Sequence, residues 1–401
     1  MMRILHVQAQ LPAKTGSGVY FANVIKGLKT YDQACLYGSF GDFEFDLLPK
    51  DRQYAVKFPN ETCEFPLPGM SDVMPYESTV YGEMTPAMIA DWQFVFRQKL
   101  RQAVNQFKPD IIFCHHLWLL TALVRQEYPN LPIYAFCHGT DLRQAHQHPD
   151  LLARYVLDLN GLTRVFALSH DQVPAIQETY HISKARITVL GGGFDPEIFY
   201  PKEKFKKESI DIIYAGKIAE AKGIYALAEA FGQISDQFPE AQLHLIGNPA
   251  PEAHQRLTPY FKNSQIKLYN VVDQPSLATI FRQADIFTLP SYYEGLGLVN
   301  IEALACGLRV VTTEIPALKE QLGSVVNDSG VISYVSLPGL VDQDKPVKAD
   351  LPAFYQRLAQ ALAAQIEACR QQVPFSDTVQ QAVLESSWPQ LIQRIEQKII
   401  Q

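Results

Sequence analysis

Short apolar, β-branched runs alternate with longer segments of helical period along this chain. The strand candidates are Ile4 to Gln8, Ile111 to His115, Ile133 to Cys137, Arg164 to Leu168, Ile187 to Leu190, Ile210 to Gly216, Gln242 to Gly247, Ile266 to Tyr269, Ile286 to Leu289 and Arg309 to Thr313. Several are apolar at successive positions, as Asp110-Ile111-Ile112-Phe113-Cys114 shows. A strand buried on both faces, as in a parallel sheet covered by helices, has that pattern. The helix-period segments are Tyr20 to Leu28, Met88 to Phe107, Ser169 to Tyr180, Ile224 to Phe238, Ser276 to Gln283 and Val299 to Cys306. Strand and helix in repeated alternation predict an α/β protein with doubly wound sheets.

A seam divides the series. Phe194-Asp195-Pro196-Glu197-Ile198-Phe199-Tyr200-Pro201 and the charged residues after it carry two prolines and break the strand-helix rhythm. The expected division is therefore an amino-terminal domain over 1–195, a linker over 196–209, a second domain over 210–385 and a terminal helix over 386–401. A length of 401 residues suits two such domains. Residues 38–86, rich in Pro, Gly and aromatics, read as an irregular insertion in the first domain. The last helix is amphipathic through Leu391, Ile392, Ile395 and Ile399. Docking onto the first domain and a plain terminal helix are equally open readings of it.

Composition narrows the class. With 47% apolar and 19% charged residues the chain is globular, which excludes disorder and collagen-like structure. A net charge of −7 without a dominant basic block argues against general nucleic-acid binding. The short run Lys202-Glu203-Lys204-Phe205-Lys206-Lys207 reads as a solvated linker. Cys35, Cys63, Cys114, Cys137, Cys306 and Cys369 are scattered, as expected of buried thiols in a reducing compartment. The start, Met1-Met2-Arg3-Ile4-Leu5-His6-Val7, reads as a strand and not a signal peptide. No stretch approaches the ~20 apolar residues of a membrane span. The expected location is the cytoplasm, with contact at a membrane surface left open.

In open α/β sheets ligands bind beyond the carboxyl ends of the strands, so the chemistry is sought in the loops there. After Leu289 comes Pro290-Ser291-Tyr292-Tyr293-Glu294-Gly295-Leu296-Gly297-Leu298, then a helix that stops at Gly307. Backbone N–H groups at Gly295, Gly297 and Leu298, with the helix N-terminus behind them, form a cradle for phosphate. Glu294 and Glu302 bracket it and are able to accept hydrogen bonds from hydroxyls on either side of a diphosphate. That Glu294 merely caps the helix and Glu302 answers its dipole is equally open on these residues alone.

The full pattern, P-S-x-x-E-G-x-G-L-x-x-x-E-A-x-A-C-G, resembles the E-x7-E signature of the retaining glycosyltransferases with the GT-B fold, the large glycogen-synthase-like nucleotide-sugar family. The resemblance implies that Glu294 binds donor-sugar hydroxyls, that Glu302 holds the ribose and that the Gly297-Leu298 backbone meets the distal phosphate. Gly216-Lys217-Ile218-Ala219-Glu220-Ala221-Lys222-Gly223 is similar to the family's G-R-x-x-x-x-K-G, whose two cations neutralise the leaving diphosphate. Lys217 keeps the charge of the usual Arg but loses its bidentate fork. The alternative is two lysines at a solvated helix entrance.

His138-Gly139-Thr140-Asp141 ends another strand, and relatives place a His there beside the donor sugar's hydroxymethyl group. His138 is thus assigned to the active site, with Thr140 and Asp141 as neighbours on the acceptor side. Thr15-Gly16-Ser17-Gly18-Val19 joins the first strand to the first helix and is not a Walker loop. It resembles the form in the bacillithiol-pathway GlcNAc-malate transferases, and the family places such a turn under the diphosphate. The segment 191–201 resembles the family's hinge, Gly247 its nucleotide-bordering glycine, and Val271 and Val272 the place where the base rests.

His115, His116 and Trp118 end one more amino-half strand and suggest acceptor contacts. Because adjacent strand residues point oppositely and no third ligand is evident, the His pair is not read as a metal site. Asp342-Gln343-Asp344 reads as a solvated turn. The resemblance thus implies two Rossmann-like domains facing a cleft. The second holds a nucleoside-diphosphate sugar, most commonly a UDP-sugar in this family, and the first holds an acceptor that no residue identifies. A retaining hexosyltransferase needing no metal and no cofactor is expected. A nucleotide-sugar 2-epimerase of the same fold, or a non-catalytic nucleotide-sugar-binding protein, is the alternative.

Overall fold

The computed structural model describes residues 1–401 apart from 73, 203–206, 271–272, 342–343 and 401. The chain forms two compact units, Met1–Gly191 joined by the residues from Ile392 onward, and Gly192–Leu391. The first holds a seven-stranded sheet of β1 (Arg3–Gln8), β2 (Asp32–Phe40), β3 (Gln53–Phe58), β4 (Ile111–His115), β5 (Ile133–Phe136), β6 (Arg164–Ala167) and β7 (Ile187–Val189). Its order is β3-β2-β1-β4-β5-β6-β7 with every pair parallel. The second unit holds β8 (Ile210–Ala215), β9 (Ala241–Ile246), β10 (Ile266–Tyr269), β11 (Ile286–Leu289), β12 (Arg309–Thr313) and β13 (Ile332–Val335). They are ordered β10-β9-β8-β11-β12-β13, again all parallel.

Both sheets are doubly wound, and the chain reverses direction of growth between β1 and β4 and between β8 and β11. All five residues of β4 and all five of β12 are buried, the polar His115, Arg309, Thr312 and Thr313 together with the apolar residues between them. Three strands of these two sheets escaped the sequence pattern. In β2 the buried Gln33 and Ser39 interrupt the apolar run. β3 lies inside the stretch 38–86 expected to be irregular, and it is the edge strand of the first sheet. Its alternation suits that position, since Tyr54, Val56 and Phe58 are buried while Gln53, Ala55 and Lys57 are less so. β13 is short and carries Ser333 and Tyr334 among its residues.

The first helix, Gly16–Gly27, starts earlier than its apolar period suggested because the Thr15 hydroxyl caps it, accepting from Gly18 N at 3.0 Å. Leu351–Arg370 is a long helix that buries Phe354, Leu358, Leu362 and Ile366 at four-residue spacing. The terminal helix, Trp388–Ile399, begins in the second unit, where Trp388 N donates to Phe194 O at 2.9 Å. It ends in the first, where a Cβ on Gly27 would run into Ile392. Every cysteine but Cys369 is buried and none is in a disulfide. Among the described residues no helix is long and apolar enough to cross a membrane.

Candidate active site

In the second unit the loops after β8 and β11 leave adjacent strands at the switch point, and side chain and backbone tie them together. Tyr292 N donates to Ala221 O at 2.9 Å. Lys222 Nζ lies 2.7 Å from Glu294 Oε1, and the Ser291 hydroxyl donates to the same oxygen at 2.9 Å. Gly223, at φ +68°, makes this approach possible: a Cβ there would run into the Pro290 carbonyl oxygen. Glu294 therefore does not cap the following helix, because its carboxylate is turned toward Lys222 and Ser291.

That helix, Leu298–Ala305, starts at Gly297 in the left-handed conformation, φ +67°. Asn300 N and Nδ2 both donate to Gly297 O, at 2.9 and 3.0 Å. Glu302 is the fifth residue of this eight-residue helix and only 7% exposed. Gln274 Nε2 reaches its Oε1 at 3.4 Å. Burial pushes the Glu302 carboxyl up to about 7. Gly216 and Lys217 are exposed at the end of β8, and the buried Tyr214 hydroxyl donates to Lys217 O at 2.7 Å. Gly247 N donates to Tyr269 O at 2.9 Å, and a Cβ on Gly247 would run into Gly216 O. Gly295 is exposed with open space around its Cα, and Leu298 is half-buried. Val272 lies outside the described residues. The carboxyl ends of β8, β9 and β11 thus gather both lysines, both glutamates and the glycines on one rim of the sheet.

In the first unit the corresponding rim is more enclosed. Gly18 is packed so tightly that a Cβ would lie 2.6 Å from Ala13 N, whereas Gly16 has open space around it. Gln10 Nε2 holds Thr15 Oγ1 at 3.1 Å and Ser17 Oγ at 2.7 Å. After β4 and β5, His115 Nδ1 lies 3.1 Å from His138 Nε2, and the two rings stack. His115, His116 and Trp118 are each buried to 2% exposure, and Thr140 is half-buried. Asp141, fully buried, joins the two strand ends: its Oδ2 accepts from Leu117 N at 2.9 Å and from His138 N at 3.3 Å. Burial depresses the imidazoles of His6, His115, His116 and His138, so all four are neutral at ordinary pH.

Two family models match in succession, "Glycosyltransferase Family 4" over residues 77–198 and "Glycosyl transferases group 1" over 196–335. The chain is a GT-B glycosyltransferase. It is 25% identical over 311 residues to a glycogen synthase of Mycobacterium tuberculosis, a span of 72% of each protein. The fold of a sucrose-phosphate synthase from Thermosynechococcus elongatus matches with a TM-score of 0.69 at 16% identity, covering 100% of this chain and 98% of that one. Anabaena HepE, solved in complex with UDP and glucose, matches with a TM-score of 0.66 at 17% identity over 100% of both chains.

One geometric expectation for this glycosyltransferase fails. His115 and His116 do not point oppositely: His116 sits past the strand end at φ +73°, which brings its ring within 4.8 Å of the His138 ring while the His115 ring is 5.3 Å away. Among the described residues no group of three or more His, Cys, Asp or Glu could hold a metal ion. The sequence reading also passed over supporting residues. Ser291, Gln274 and Tyr214 touch the motif residues but carry no motif signal of their own beyond Ser291's place in P-S-x-x-E-G. His6 and Gln33 lie behind His115, and nothing in their spacing marked them.

Proposed function

We propose that the enzyme is a retaining hexosyltransferase that takes a UDP-sugar in its second unit and passes the sugar to an acceptor held by its first. The observation that carries this reading is the convergence of Lys222, Glu294 and Ser291 beside the uncapped helix start at Gly297. A diphosphate is suited to that corner because it meets backbone N–H groups, a helix N-terminus and two lysines. Glu294 and Glu302, one on each side, suit the hydroxyls of sugar and ribose. In this mechanism the acceptor hydroxyl attacks from the face that the diphosphate leaves, and the departing diphosphate oxygen takes its proton. The lysines offset the charge that grows on the leaving group, so no metal or cofactor is required. The buried cysteines, none of them in a disulfide, fit a reducing compartment such as the cytoplasm.

A thermal-shift screen of UDP-, ADP- and GDP-sugars, followed by a mass-spectrometric acceptor search with the best donor, tests the reading. Glu294→Ala and Lys222→Ala are each expected to abolish transfer with the fold intact by circular dichroism. Unchanged turnover in either sinks the site assignment. A 2-epimerase converts donor without any acceptor, so incubation with donor alone separates that reading, and the anomeric configuration of the product decides retention.

A further inference from the structure

The rings of His115 and His138 lie 5.3 Å apart at an interplanar angle of 14°, and His115 Nδ1 is 3.1 Å from His138 Nε2. That spacing is a hydrogen bond, so one of the two nitrogens carries a proton and the other is bare. Both rings are neutral, so each has a single N–H to place. Two arrangements satisfy this. Either His115 Nδ1–H donates, which leaves His138 protonated at Nδ1, or His138 Nε2–H donates, which leaves His115 protonated at Nε2.

The surroundings choose between them. His115 Nε2 is buried without a hydrogen-bond partner. An N–H stranded there would be an orphan donor, which folded proteins avoid more strictly than an unused lone pair. The neighbouring His6 obeys the same rule. Gln33 Nε2 donates to Ile25 O at 3.1 Å and Leu28 O at 2.9 Å, so Gln33 Oε1 is the atom facing His6 Nε2 at 2.9 Å. His6 Nε2 must therefore carry the proton, and its buried, partnerless nitrogen is the bare Nδ1.

We propose that His115 is a positioning residue that holds His138 as the Nδ1–H tautomer, so that His138 offers a hydrogen-bond donor, not an acceptor, to an oxygen of the transferred sugar. The donation to sugar rests on the reading that His138 meets the donor; the tautomer does not. His138 is partly exposed, and among the described residues its Nδ1 has no hydrogen-bond partner, so that nitrogen is the one left for a ligand. Which ring nitrogen carries the proton is set by the bond the other one makes, and without His115 the ring would revert to the Nε2–H form favoured in water.

Long-range proton–nitrogen NMR of the ligand-free protein at neutral pH, with His138 assigned through His138→Gln, is the test. The expected spectrum shows His138 protonated at Nδ1; protonation at Nε2 overturns the proposal whatever the activity does. His115→Phe keeps the stack on Phe136, now 4.6 Å between ring centroids, and removes the bond. It should convert His138 to the Nε2–H form and lower kcat/KM about tenfold, the worth of roughly one hydrogen bond. His115→Asn, whose amide is able to occupy the Nδ1 position, should restore both tautomer and turnover. A tautomer switch with unchanged turnover overturns the donation to sugar. Full activity in His138→Ala overturns instead the active-site reading beneath it. Should His115→Phe fail to fold, the spectrum of the unaltered protein still decides the tautomer.

Discussion

Glu302→Gln should make the protein more stable and poorer at holding a nucleotide. The Glu302 carboxyl is 7% exposed, meets only the Gln274 amide among the described residues, and titrates at about 7 against an ordinary 4.5. As pH rises, the unfolded chain gives up this proton near 4.5 while the folded protein keeps it to about 7. Stability is thus highest below 4.5 and falls as pH rises through 7. At 1.36 kcal/mol per pH unit, the displacement costs about 3 kcal/mol by pH 8. Gln keeps the shape and the Gln274 contact without the charge. Urea melts should therefore show the variant ahead by up to about 3 kcal/mol at pH 8, with the lead shrinking toward pH 4.5. Equal stability at pH 8, or a lead independent of pH, refutes the argument. In the proposed site ribose hydroxyls donate to the ionised carboxylate, so binding expels the proton. Affinity for a UDP-sugar, whose diphosphate carries no proton that titrates in this range, should then rise by calorimetry between pH 6 and pH 8 in the unaltered enzyme and stay flat in Glu302→Gln; a flat profile in both removes the link.

Gly223→Ala forces a side chain into the left-handed region and against the Pro290 carbonyl, a cost on the order of 2 kcal/mol that a rotamer change does not relieve. Thermal melts and donor kinetics should both suffer, and a variant with unchanged melting refutes the packing argument. Tyr214→Phe removes the hydrogen bond to Lys217 O, worth about 1 kcal/mol. It should raise the donor KM several-fold with kcat nearly preserved, and an unchanged KM counts against Tyr214 as a support of the phosphate loop. Glu294→Gln should lose transfer yet bind UDP more tightly than the unaltered enzyme, since Lys222 is freed; weaker calorimetric binding refutes that.

The sheets were largely legible because parallel strands covered on both faces are mostly apolar at successive positions, and the runs Ile111-Ile112-Phe113-Cys114, Ile286-Phe287 and Val310-Val311 supply that signal. β2 was hidden by polar residues whose partners lie far off in sequence or space: Gln33, for example, is satisfied by His6 and by two carbonyls of the first helix's end. β3 was hidden because an edge strand needs only one buried face. The second unit's rim was readable since Glu294, Glu302 and Lys222 sit at fixed offsets from glycines that shape local backbone. What a motif does not convey is which residue supports which. Gln274 and Glu302 are neighbours only because the helices Gln274–Phe281 and Leu298–Ala305 pack together, and the His115–His138 stack depends on two strands pairing in one register, Cys114 opposite Ala135 and His115 opposite Phe136.

In the proposed reaction a chain of net charge −7 has to hold the diphosphate locally, and the pairing at Lys222 suits that task. With no ligand present an unpaired lysine in a half-buried corner would be costly, and Glu294 neutralises it at 2.7 Å. Glu294 in turn is not left bare if Lys222 swings toward a phosphate, because the Ser291 hydroxyl, itself buried, holds the same oxygen at 2.9 Å. The second carboxylate oxygen, Oε2, then remains for a sugar hydroxyl. Ion pair and hydrogen bond on one atom let the lysine change partners without stranding a charge, so that in the proposed reaction the cation reaches the leaving group while the carboxylate stays oriented for the sugar. A lysine at 222 suits this exchange better than an arginine, whose planar fork would bind Glu294 through both oxygens and occupy the one the sugar needs.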